Sequence, residues 1–162
     1  MAVTYTGPTT IALSPASLAS SSTFVTGRES GEIDNTVNLY EDVEIQGFST
    51  TGTSPAADTN LRLYIWGSHT ALGTTPLDVL DGTDSNVTMS SPDVRDSILV
   101  LARLVQVDST SDAEYQFKPF SVAQIFGSVP QYWGLFLSHD TGVNLNSTAG
   151  NHEFKYTGIK YS

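Results

Sequence analysis

The stretch Ser97 to Asp108, Ser-Ile-Leu-Val-Leu-Ala-Arg-Leu-Val-Gln-Val-Asp, is the longest nearly uninterrupted apolar run in the chain and constrains its fold more than any other segment. Read as a strand, it places Ile98, Val100, Ala102 and Leu104 on one side and Leu99, Leu101, Val105 and Val107 on the other. Side chains alternate between the faces of a strand, so both faces here avoid water and each needs a cover. A chain of 162 residues, 39% of them hydrophobic, has material for one well-formed core rather than two domains. The second cover is therefore assigned to another subunit. On this reading Ile98, Val100, Ala102 and Leu104 face the core, while Leu99, Leu101, Val105 and Val107 form the oligomer interface.

The start of the run admits a competing reading. Ser91-Pro92-Asp93 has the form of a helix N-cap followed by proline at the first helical position, and Val94, Ile98, Leu101 and Val105 fall on one helical stripe. Leu99, Val100, Leu104 and Val107 lie off that stripe, and β-branched residues lose rotamer freedom in helices. The balance favours a short turn followed by a strand.

Elsewhere the pattern is one of short strands between turns. Thr36 to Phe48 sets Val37, Leu39, Val43 and Ile45 against Asn38, Asp42, Glu44 and Gln46, with Glu41 on the apolar side and Tyr40 on the polar one. Leu61 to Gly67 sets Leu61, Leu63 and Ile65 against Arg62, Tyr64 and Trp66. Further strands are expected at Ala113 to Phe120, where Pro119 marks an end or an edge, at Tyr132 to Ser138, briefly at Val143 to Leu145, and at His152 to Tyr161. Ser121-Val-Ala-Gln has capping-box spacing, with Gly127 and Pro130 behind it, and predicts one short helical turn. Residues 1–31, rich in Ser, Thr, Gly, Ala and Pro, read as an extended N-terminal arm anchored by Ile11, Leu13, Leu18 and Phe24. Residues 32–162 then form an all-β domain, an antiparallel β-sandwich whose topology the spacing leaves open.

Charge and composition narrow the function classes. Seventeen acidic side chains against seven basic ones leave a net charge of −10, which repels phosphate, so no nucleic-acid partner is expected. Cysteine is absent, removing thiolate chemistry and sulfur-ligated zinc. No apolar run is long enough for a membrane span, and residues 1–7 lack the basic start and apolar segment of a secretory signal, so the product is expected to be soluble where it is made.

Motifs for catalysis are missing as well. There is no G-x-S-x-G, no local signature pairs His69, His139 or His152 with a serine, and the acids single out no opposed pair. Glu41 falls on the inward side of its strand by alternation, but a bulge or edge position is the better reading. Asp78, Asp81, Gly82, Asp84 and Asn86 have the composition of a calcium loop without the EF-hand order and read as turn residues. The chain is accordingly expected to be no enzyme and to need no metal or cofactor. Tyr64, Trp66, Tyr132 and Trp133 would make a sugar-stacking platform if exposed together, although aromatics in strands more often belong to cores.

The C-terminal third, Phe117-Lys-Pro-Phe-Ser-Val-Ala-Gln-Ile-Phe-Gly through Pro130-Gln-Tyr-Trp-Gly-Leu-Phe-Leu to Gly142-Val-Asn-Leu and Tyr156-Thr-Gly-Ile, resembles small structural proteins of tailed bacteriophages. Such proteins decorate or cement the capsid as β-sandwich trimers, commonly jelly rolls. The resemblance rests on turn and core residues and carries over no site residue. It implies a virion protein, assembled in the host cytoplasm, that sits on the capsid surface as a homotrimer against the major capsid protein or neighbouring virion subunits. A receptor- or glycan-binding virion module of lectin-like type is the alternative.

Overall fold

The computed structural model describes residues 2–162. Its strands are β1 (Val3–Thr10), β2 (Thr26–Glu29), β3 (Ile33–Asp34), β4 (Asp42–Thr50), β5 (Thr59–Ser68), β6 (Ser85–Thr88), β7 (Val100–Val107), β8 (Glu114–Ser121), β9 (Tyr132–His139) and β10 (His152–Tyr161). Helix α1 (Pro92–Ile98), helix α2 (Val122–Phe126) and a 3-10 turn at Ala149–Asn151 complete it. One antiparallel sheet has the order β1-β10-β4-β8, and the other runs β6-β2-β9-β5-β7, with β3 also pairing β9. With the short β3 and β6 set aside, the chain visits the two sheets in the order of a jelly roll.

The apolar halves of alternating strands meet between the sheets. Val43 and Ile45 of β4, Leu61, Leu63 and Ile65 of β5, Phe117 of β8, Trp133, Leu135 and Leu137 of β9, and Phe154 of β10 are buried there. A second cluster lies on the opposite face of the larger sheet. Tyr64 and Trp66 of β5 and Phe136 of β9 pack with Leu72, Leu80, Met89 and Leu99 from residues 69–99, which cross that face and include β6 and α1. The strands with two buried faces are thus the adjacent central pair β5 and β9, and their second cover comes from the same chain. Close packing in this layer explains Gly134: a Cβ there would lie 2.6 Å from the Trp66 ring.

The run from Ser97 behaves differently from the sequence reading. Its first two residues close a helix. Ser91 caps α1 by accepting a hydrogen bond from the Val94 amide at 3.1 Å, Pro92 occupies the first turn, and Val94 and Ile98 pack partly buried against the second cluster. The strand starts at Val100 and occupies the edge of its sheet. Between Leu101, opposite Tyr64, and Arg103, opposite Leu63, Ala102 is one residue too many, and this bulge breaks the alternation. Ala102 and Val107 join the main core with Val105 packed partly against it, Leu99 joins the second cluster, and Val100, Leu101 and Leu104 are exposed. Val100 and Leu104 are therefore not core residues, and Leu99 and Val107 are not available to a partner.

Two other expectations change. Residues 36–41 form a loop, so Val37 and Leu39 project outward, Leu39 at φ 52°, and β4 begins only at Asp42. Residues 143–145 form no strand, although Leu145 is buried. The helical turn appears where predicted: the Ser121 hydroxyl accepts from the Gln124 amide, and Gly127 ends α2 at φ 83°.

Replacing Leu63 by Ala should cost about 2–5 kcal/mol, because it opens a cavity between the sheets, whereas Leu104→Ala should cost less than about 1 kcal/mol. Chemical denaturation of the two variants checks both values, and equal losses would contradict the assigned orientation of β7.

Candidate interaction surfaces

Two of the three histidines that sequence reading considered for chemistry are engaged inside the fold. His152 is brought to Ser49, with 2.8 Å between Nδ1 and the hydroxyl, while its Nε2 lies 2.8 Å from the Asn146 carbonyl. A carbonyl only accepts, so Nε2 carries the proton and the Ser49 hydroxyl donates to Nδ1. Ser49 is fully buried and no substrate atom can reach its oxygen. His139 is arranged similarly, with Nε2 donating to the Leu18 carbonyl at 3.0 Å and Nδ1 3.0 Å from the Thr141 hydroxyl. Burial holds both imidazoles below the usual histidine range. His69 is exposed at the end of a strand.

The carboxylates serve turns and the covering segment. Asp78 accepts from the Ser90 amide and hydroxyl, Asp81 from those of Thr83, and Asp84 from the Arg28 guanidinium at 2.6 Å and the Ser14 amide. Among the described residues no group of three potential ligands converges. Glu41 is exposed and accepts from the Tyr161 amide. Glu29, which the sequence reading did not single out, is fully buried on β2 and accepts from the amides of Asp81, Gly82 and Thr83. Burial drives its carboxyl up to about 7 against the downward pull of those amides. Its nearest sequence signal is the Asp-Gly-Thr turn, which offers consecutive free amides but does not say what fills them.

The aromatic platform is not assembled, since Tyr64, Trp66 and Trp133 are buried and only Tyr132 is partly accessible. The arm anchors turn inward too. Ile11, Leu13 and Leu18 belong to the main core, and Phe24 is buried with the Arg62 guanidinium 3.7 Å from its ring centroid. They fasten residues 11–25 to the chain's own sandwich, while β1 and β2 on either side are strands of the two sheets.

Exposed apolar side chains lie in loops, at Val37, Leu39 and Val79, and along two sheet edges. On β7, Val100, Leu101 and Leu104 are 42%, 44% and 48% exposed. Of the four interface residues read from sequence, Leu101 alone is thus freely presented. On the other edge, every residue of β1 is exposed, and Val3 and Tyr5 are paired with Tyr161 and Ile159 of β10. Paired residues share a face, and Phe154 and Tyr156 point into the core, so Val3, Tyr5, Ile159 and Tyr161 lie together on the outer face. Among the described residues no helix is long and apolar enough to cross a membrane. No family model, curated protein or solved structure matches the chain.

The high Glu29 value makes a signed prediction. A carboxyl raised from 4.5 to about 7 contributes stability that is complete below the unfolded value and lost as pH rises through the folded one. The stability of the wild type relative to Glu29→Gln should therefore increase by about 2–3 kcal/mol between pH 8 and pH 5. Taking the difference cancels the opposing histidine contributions, and thermal unfolding at several pH values measures it.

Proposed function

We propose that this protein is a non-enzymatic virion structural protein, a decoration subunit that binds an assembled capsid as a trimer and stabilises it. The observation that carries the reading is that Val100, Leu101 and Leu104 are left exposed along an edge strand of a jelly roll, Leu101 and Leu104 on its outer face opposite Tyr64 and Arg62. Aliphatic side chains left exposed along a sheet edge favour association. The intersubunit surface read from the sequence contracts to Leu101, joined by Val100 and Leu104. Stabilisation follows by mass action, because a subunit that binds only the closed lattice shifts assembly towards that lattice.

The receptor- or glycan-binding alternative loses its aromatic platform. It retains a shallow hollow of about 250 Å3 on the outer face of the smaller sheet, lined by Gln46, Phe48, Gln116, Lys118, Glu153 and Lys155. Sedimentation of the purified protein with empty phage heads and, separately, with host cells distinguishes the two. Co-sedimentation with heads, together with a rise in the temperature at which they open, is expected; binding to cells and not to heads would overturn the decoration reading.

A further inference from the structure

Between β5 and β6 the chain runs from residue 69 to residue 84 with no helix or strand of its own, across the outer face of the larger sheet. Its buried residues are Leu72 and Leu80, which pack in the cluster with Trp66 and Phe136, while Gly73, Thr74, Thr75, Pro76, Asp78 and Val79 face water. A segment with two buried anchors and an exposed backbone belongs to the part of a structure that opens most readily. Its hold on the sandwich is concentrated in two carboxylates. Among the described residues, four of its backbone amides reach elements distant in sequence: Leu72 donates to Glu32 at 2.7 Å, and Asp81, Gly82 and Thr83 donate to Glu29 at 3.1, 2.7 and 2.9 Å. The amides of Thr74, Thr75, Leu77 and Leu80 bond within the segment. The Glu32 amide adds a bond to the Gly82 carbonyl, and Arg28 holds Asp84 at the far end.

Glu29 is the part of this fastening that titrates near neutrality. Burial raises its carboxyl, and the neighbouring Asp81 carboxylate adds to the rise against the pull of the three amides. The other ionisable groups around it are engaged elsewhere. Glu32 holds Leu72, Arg28 is paired with Asp84, Arg62 lies over the Phe24 ring, and Arg95 is paired with Asp96 and lies over the Tyr64 ring. On the segment itself, His69 and Asp78 are exposed. Strand β6 carries no ionisable side chain, and β9 sets Phe136 opposite Glu29.

We infer that residues 69–84 open and close over the second cluster as a unit, apart from the sandwich, with Glu29 as a pH-sensitive latch. Carrying its proton, Glu29 sits in the closed form without charge. Once the proton leaves, the carboxylate is better solvated with the segment lifted, away from an Asp81 that is already charged. A carboxyl that holds its proton more tightly in the closed form favours closure most below its ordinary value of 4.5, and that contribution is lost as pH rises through about 7. Lifting the segment takes Leu72 and Leu80 off Trp66, so rising pH uncovers an apolar face that lower pH keeps shut. The inference goes beyond the decoration reading and depends neither on a capsid nor on self-association.

Amide hydrogen exchange of the whole chain, corrected for the intrinsic rate at each pH, tests it. The amides of Leu72, Asp81, Gly82 and Thr83 should exchange faster than those of Leu63 and Leu135 in the central strands, and adding about 1 M urea should accelerate only the latter pair appreciably, because local opening exposes little surface. Between pH 5.5 and pH 8 the protection of the four segment amides should fall about tenfold or more in the wild type. In Glu29→Gln, whose side chain still accepts hydrogen bonds but does not titrate, it should stay level. Leu72→Ala should lower segment protection by about tenfold or more at every pH while keeping the wild-type pH profile, which leaves the test standing if the glutamine variant folds poorly. Segment amides that share the protection and urea response of Leu63 and Leu135 would overturn separate opening, and a wild-type profile level with pH, or one that Glu29→Gln reproduces, would overturn the latch.

Discussion

A buried carboxylate governs the architecture of the larger sheet. Residues 69–99 cover its outer face with little regular structure of their own, so their backbone amides need partners from elsewhere. Glu29 takes three of them in succession, Glu32 takes the Leu72 amide, and Arg28 reaches the Asp84 side chain and carbonyl. These contacts let Leu72, Leu80, Met89 and Leu99 settle on Tyr64, Trp66 and Phe136. Without the cover, Trp66 and Phe136 would face water at the centre of the sheet. With it, the second apolar face is satisfied inside the chain, and the apolar side chains left exposed lie in loops and along sheet edges.

Those edges are managed unequally. Strands β7 and β8 are tied together by Arg103, which also lies 5.0 Å from the Phe120 ring centroid, and β8 carries Pro119, which cannot donate to another strand. Strand β6 is short. Strand β1 has no charge along eight residues and only Pro8 interrupts its free edge, so it is the least protected against a second chain.

The sequence made the regular strands legible because they keep strict alternation. Leu61, Leu63 and Ile65, and Phe154 with Tyr156, point as their period requires. Alternation failed at β7 because one bulged residue, Ala102, moves Leu104 to the outer side and leaves Val105 and Val107 on the inner, a displacement that no periodicity reports. It failed at Val37 and Leu39 because the chain there turns through a left-handed residue instead of extending. The cap at Ser91 was readable but outweighed by the β-branched residues beyond it, which belong to the next element. The arm anchors were recognisable as apolar, yet composition cannot say whose core receives them. Glu29 and the Ser49–His152 pair depend on contacts between residues far apart in the chain and carried no local mark.

The energetics of β1 show why its environment matters. Fixing a residue's backbone costs about 1–2 kcal/mol, while each net hydrogen bond returns about 1 kcal/mol, so strand pairing alone leaves such an element close to balance. Other strands gain a margin from buried side chains. In β1 all eight residues are exposed, and its hold on the fold is the ladder to β10, interrupted between Thr6 and Thr9. Covering Val3 and Tyr5 would supply apolar burial at roughly 25 cal/mol per Å2, the contribution this strand lacks within the monomer. Whatever covers Val3 and Tyr5 would therefore also fix β1.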